Sequence, residues 1–123
     1  MSNVKNEYVL RIDSWYKKID IVPTYTQYDA SSLVIYVSDA KAPYNLALFD
    51  KILIHHRKPG GEIITADAEI VIGASNATSF IRYFYTDDVM DRTGFIGTSL
   101  ELWFGKKRIT IPPFDVKILP ETE

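Results

Sequence analysis

Cysteine is absent from all 123 residues, which excludes disulfides and thiolate metal sites. Histidine occurs only at His55 and His56, with neither an HExxH spacing nor a third nitrogen ligand nearby. Neighbouring side chains on a strand point to opposite faces, so this pair cannot grip one metal ion. Both read as strand residues, one of them partly buried. No apolar run approaches the roughly 18 residues that a membrane-spanning helix needs. The opening residues, MSNVKNEYVLRIDSWYKK, lack an apolar stretch ending in small residues, so no secretory signal is expected. Charge of one sign is also scarce. A net charge of −2 gives no overall field to draw nucleic acid or an anionic membrane.

The usual catalytic signatures are missing too. No GxSxG elbow announces a nucleophile, and without cysteine there is no Cys/His pair. Gly60-Gly61 and Gly94-x-x-Gly97 fit neither a phosphate-cradling loop nor a dinucleotide fingerprint. Asp87, Asp88 and Asp91 cluster without calcium-loop spacing, so helix capping is their expected work. Asp67 and Glu69 share a strand face, as carboxylates on any exposed strand do, and this does not define a glycosidase pair. Lys106-Lys107-Arg108 and Arg57-Lys58 fall at turns and read as solvated charge. Asn76-Ala77-Thr78 matches a glycosylation sequon but reads as a turn. The chain is therefore expected to be no enzyme and to carry no cofactor or metal.

What the sequence does hold is aromatic and β-branched alternation. Eight Tyr, six Phe and two Trp favour strands. The clearest stretch is Asp50 to Ile72. Ile64, Ala66, Ala68, Ile70 and Ile72 fall on one side of a period-2 strand, and Thr65, Asp67 and Glu69 on the other. Lys58-Pro59-Gly60-Gly61 supplies the turn before it, because proline presets φ and glycine accepts positive φ. Such a hairpin needs a second layer over its apolar face.

Further strands are predicted over Tyr8–Ile12, over Trp15–Val22 with a continuation after Pro23, and from Leu33 to Val37. Phe80–Tyr85 follows, aromatic on both faces. Phe95–Phe104 is expected to be the longest, with Ile96, Thr98, Leu100, Leu102 and Phe104 inward, and Arg108–Leu119 closes the chain. Near 87–93 the Thr86/Asp87 cap and Gly94 predict one short helical turn. In the last strand Ile109 and Ile111 are inward at odd positions, but Phe114, Val116 and Ile118 at even ones. The phase slips at Pro112-Pro113, so a bulge or a change of sheet is required there, on an unpaired edge.

About eight short strands and one helical turn describe an all-β sandwich, with a barrel as the alternative. One domain over 8–119 is expected, after a frayed start at 1–7 and before a tail at 120–123. Aromatics concentrate in the first third, where Trp15, Tyr16, Tyr25, Tyr28, Tyr36 and Tyr44 lie. They could serve an interface or a sugar-stacking platform.

The order of these signals resembles the amino-terminal domain of the upper baseplate proteins of tailed phages that infect Gram-positive bacteria. The resemblance is carried by Lys18-Ile19-Asp20-Ile21 with Gln27-Tyr28-Asp29, and by Leu33-Val34-Ile35-Tyr36-Val37 with Tyr44-Asn45-Leu46. Lys58-Pro59-Gly60-Gly61, the Thr86–Gly94 turn and the closing Leu100–Phe114 hairpin continue it. Gly61 and Asn45 depart from the family's usual Asp at those points. The resemblance implies an immunoglobulin-like antiparallel β-sandwich. It also implies a structural, non-catalytic phage or prophage component that docks to other tail or baseplate subunits, often within a ring. The expected location is the virion tail, after synthesis in the bacterial cytoplasm. Family members usually continue into a helical linker and a receptor-carrier region, so an excised piece or a small stand-alone component is expected here. Tyr25, Tyr28, Tyr36, Pro112 and Pro113 are the candidate partner-binding residues, with homo-oligomers as a further expectation. The opposing reading is a carbohydrate-binding module that uses the aromatics of the first third.

Overall fold

The computed structural model describes residues 6–15, 18–19 and 21–121. The polar start at 1–5, Tyr16, Asp20 and the final residues 122–123, on which some expectations fall, lie outside them. Among the described residues ten strands form one curled sheet. In chain order they are β1 (Asn6–Asp13), β2 (Lys18–Ile19), β3 (Thr24–Thr26), β4 (Ser31–Asp39), β5 (Ala42–Pro43), β6 (Lys51–Arg57), β7 (Ile63–Val71), β8 (Phe80–Phe84), β9 (Gly94–Phe104) and β10 (Lys107–Leu119). Across the sheet the order is β2-β1-β4-β8-β7-β6-β9-β10-β3, with β5 beside β4.

The expected all-β class is present, but the sheet is mixed rather than purely antiparallel. β1 pairs parallel to β4, from Asn6↔Ser31 to Asp13↔Ser38. β3 pairs parallel to β10, with Tyr25 opposite Ile118. The strands are also more numerous than expected, because β2, β3 and β5 are two or three residues long. Among the described residues of the predicted run through Trp15–Val22, β2 is the strand, and it pairs Ile12↔Ile19 and Asp13↔Lys18. The longest strand is β10, at 13 residues, not β9.

Period-2 patterning sets the inner face. On β6 and β9 the inward rows match across the ladder as Ile52↔Leu102, Ile54↔Leu100 and His56↔Thr98. All six of those residues are completely buried. β10 extends the rows with Leu102↔Ile109, Leu100↔Ile111, Thr98↔Phe114 and Ile96↔Val116. Leu10, Ile12, Leu33, Ile35, Ile81 and Tyr83 meet them from the other half of the sheet in one core cluster. Each fully buried Leu or Ile contributes roughly 1.5–3 kcal/mol through removal from water. β7 joins the halves: its Ile63–Ala68 stretch pairs with β6, and its Glu69–Val71 stretch with β8. Its alternation is as expected, but Ile64, Ala66, Ala68 and Ile70 are only partly buried, and Ile72 is 55% exposed.

The slip in β10 lies where the sequence placed it. Ile111 pairs with Leu100 but Phe114 with Thr98, so Pro112 and Pro113 together face Ser99. That extra residue is a bulge, and it keeps both Ile111 and Phe114 buried. The outer side of β10 is paired only at Lys117–Leu119, where β3 joins, so two missing N–H donors interrupt no ladder on that side.

One turn differs from expectation. The segment at 87–93 is a single hydrogen-bonded turn and not a helix: Met90 N–H donates to Thr86 O at 3.3 Å and to Asp87 O at 3.1 Å. One-turn 3-10 segments form at Leu46–Leu48 and Asn76–Thr78 instead. The Lys58–Glu62 turn closes with Gly60 and Gly61 at φ of 102° and 98°, as glycine there permits. Among the described residues no helix is long and apolar enough to cross a membrane.

A candidate interaction face

The outer face of the β1-β4-β8 half is built by the residues that alternate with the core. Leu10 and Ile12 point inward, so Val9 and Arg11 point out. Leu33, Ile35 and Val37 are buried, which turns Val34 and Tyr36 outward. On β8, Ile81 and Tyr83 enter the core while Phe80, Arg82 and Phe84 face out. Register brings these into rows: Val9↔Val34↔Arg82 and Ser32↔Phe84. Glu69 of β7 continues the first row opposite Arg82, and Val71 stands opposite Phe80.

The two arginines lie over rings. Arg11 Cζ sits 4.5 Å from the Tyr36 ring centre. Arg82 Cζ sits 5.2 Å from Phe80 and 5.9 Å from Phe84. Tyr36 and Phe80 are themselves 5.6 Å apart and tilted by 50°. A planar guanidinium above a ring is held by the ring quadrupole, worth about 0.5–1 kcal/mol at an exposed site. Neither arginine makes an ion pair with a carboxylate among the described residues. Phe84 is 57% exposed and Val9 45%, whereas Val34 in the middle is nearly covered by its neighbours. Tyr, Phe and Arg around a covered aliphatic centre are the residue types that anchor protein interfaces.

The outer face of the other half is more polar. Glu101 is its hub: Trp103 Nε1–H donates to it at 3.2 Å, His55 Nε2 lies 3.3 Å away and Arg108 Nη1 3.4 Å. Partial burial works to raise the Glu101 carboxyl, but Trp103, His55 and Arg108 outweigh it and hold it below its ordinary range. His55 also bonds Thr65 Oγ1 at 2.8 Å. A shallow hollow of about 510 Å³ opens beside this group, lined in part by Arg57, Ile63, Ser99 and Pro113.

The five candidate residues from the sequence do not come together. Tyr36 belongs to the aromatic face. Pro113 is exposed on the polar half, with Pro112 half-buried beside it. Tyr28 is 46% exposed in a turn, at a left-handed φ of 65°. Tyr25 is corrected from surface to core: it is 1% exposed, and its hydroxyl donates to Ser32 O at 2.6 Å. Its ring touches Tyr8 and Tyr85, so it fastens β3 across to β1 and β4. Burial pushes its hydroxyl far above its usual value. Tyr25→Phe keeps the ring and removes the buried hydrogen bond to Ser32 O, at an expected cost of about 1–2 kcal/mol by urea unfolding. An unchanged midpoint would contradict that role.

Two basic groups are buried. Of the two histidines, His55 is the partly buried one and His56 is completely buried. Its ring lies 5.0 Å from Tyr83 and 5.5 Å from Tyr85, and neither nitrogen has a hydrogen-bond partner in the protein. Lys58 is not solvated turn charge but 4% exposed. Its ammonium reaches Asp91 at 2.5 Å and donates to Asp88 O at 2.6 Å. Among the described residues no group of three or more His, Asp or Glu is placed to hold a metal ion.

An all-β curled sheet with one aromatic-guanidinium face is thus the class of structure at hand. No family model and no curated protein sequence matches the chain. Among solved structures, its fold is similar to the N-terminal domain of phage TP901-1 ORF48, with a TM-score of 0.63 at 14% identity. The likeness covers 91% of this chain and 97% of that one.

Proposed function

We propose that this chain is a structural, non-catalytic component of a phage or prophage tail or baseplate, working by docking to other subunits there. The observation that carries this reading is the shared fold with a phage domain, which extends over nearly the whole of both chains. The sequence resemblance to upper baseplate proteins points the same way, independently of the coordinates. With it come the virion tail as location, the immunoglobulin-like description of the sheet, and homo-oligomers as a further proposed state. We place the principal contact on Tyr36, Phe80, Phe84 and the two stacked arginines, with Tyr28, Pro112 and Pro113 as subsidiary points. An aromatic face whose arginines already lie over its rings loses less rotamer entropy on docking, which suits assembly.

Light scattering of the chain mixed with each neighbouring tail protein tests the reading. A stable complex is expected, weakened about tenfold or more by Tyr36→Ala together with Phe84→Ala. A strict monomer that ignores every tail protein, yet is retained on a cell-wall polysaccharide column, would reverse it in favour of sugar binding.

A further inference from the structure

At the β4-β5 end of the aromatic face a small hollow of about 190 Å³ lies between Arg11, Tyr36, Ser38, Lys41 and Asn76. Two cations line it, and both are exposed. Neither forms an ion pair with a carboxylate among the described residues. The oxygens of the nearby Asp13 are engaged by other donors. They accept the N–H groups of Trp15 at 3.0 Å, Ala40 at 3.0 Å and Lys41 at 2.7 Å, and the Ser38 hydroxyl at 2.9 Å. Those bonds have a second effect: they fix the Ala40-Lys41 turn, where both residues hold positive φ, of 51° and 69°. Strained residues of this kind persist only when surrounding contacts impose them. Lys41 is thereby held at the rim. Arg11 is held by its ring contact with Tyr36, leaving its N–H fork available to an acceptor.

We infer that this hollow receives an acidic side chain from a partner protein, its carboxylate set between Arg11 and Lys41 and its apolar neighbours laid on Tyr36 and Phe80. Charge complementarity selects the carboxylate: two cations with no ion pair among the described residues line one small space, with Asn76 beside them. The setting selects a protein rather than a free anion. Tyr36 lines the hollow and its ring lies 5.6 Å from that of Phe80, and only an occupant with apolar surface would cover that pair. The partner's identity as a protein rests on the docking reading above; the recognition of carboxylate does not.

The test uses the whole chain labelled with ¹⁵N and titrated with a blocked Asp-Leu-Glu tripeptide, its Asn-Leu-Gln counterpart, and inorganic phosphate. The acidic peptide is expected to shift the Arg11, Tyr36 and Lys41 amides and the Asn76 side chain, while the neutral one leaves them in place. In Arg11→Glu/Lys41→Glu, which alters only exposed ends and is checked by melting, those shifts are expected to vanish. With any tail protein that binds, the same variant is expected to weaken the complex about tenfold or more. Equal shifts with the neutral peptide or with phosphate, or shifts that persist in the variant, would overturn the proposal. A pull-down that fails while the acidic peptide still binds counts against docking alone. A complex that forms with unchanged affinity in the variant counts against this site alone.

Discussion

Lys58→Met is expected to lower the melting temperature by roughly 10 °C, more than any other single change at a turn of this chain. Methionine keeps the length and the apolar stem, so little packing volume is lost. What goes is the ammonium, which ties the β6–β7 turn to the Thr86–Arg92 segment through Asp91 and Asp88 O. Glu62 stands 3.9 Å off as a weaker third partner. Gln27 adds a bond from the other side, its Nε2–H donating to Asp91 O at 2.7 Å. Without Lys58 the Asp88 carbonyl has lost its buried donor, and Asp91 loses the hydrogen bond that holds its carboxyl below the ordinary range. Two loops then come loose together. Asp91→Asn serves as the comparison, because Asp91 is partly exposed and water can replace its partner. A melting temperature for Lys58→Met within a degree or two of the unaltered chain would show that the lysine anchors nothing.

The second large effect is acid sensitivity from His56. Burial is the main cause that pushes it down from 6.5 to about 4; the neighbouring His55 adds to this, and Asp88 opposes it. The unfolded chain therefore takes up a proton more readily than the folded one. Stability is complete above about 6.5, declines as pH falls below it, and stops declining through this group near 4. The loss over that window is about 3 kcal/mol. His56→Phe removes the titration but keeps an aromatic ring between Tyr83, Tyr85 and Thr98. Because neither His56 nitrogen has a protein partner, the replacement is expected to cost little at neutral pH. Urea midpoints from pH 7.5 to 4 compare the two proteins, and carboxylates titrate alike in both. The unaltered chain is expected to lose stability faster than His56→Phe over that range. Parallel profiles would remove His56 from the account.

Whatever depends on alternation along one strand was legible in the sequence. The bulge at Pro112-Pro113 was visible because Ile111 and Phe114 cannot both be inward on a regular strand. The half-apolar, half-mixed character of Leu33 to Ser38 was visible for the same reason, and so were the two aromatic sides of Phe80–Tyr85. Pairing direction left no such mark. Whether β1 lies parallel or antiparallel to β4 depends on how the chain between them crosses over, not on the residues of either strand. Lys58 was misread because its burial is decided by Asp88 and Asp91, some 30 positions away, closing over it. Tyr25 was misread because a three-residue strand offers too little alternation to reveal a face. The candidate face was half legible: Tyr36 stood out, but nothing local shows that Arg11 lies over it or that Arg82 lies over Phe80 and Phe84.

β7 belongs to both halves of the sheet, holding β6 with one end and β8 with the other. Detaching either half would strip part of the same strand and open the shared core, so neither half is an independent unit of unfolding. Backbone amides on β4 and on β9 should thus exchange with solvent through one common opening event, at one free energy, rather than in two stages.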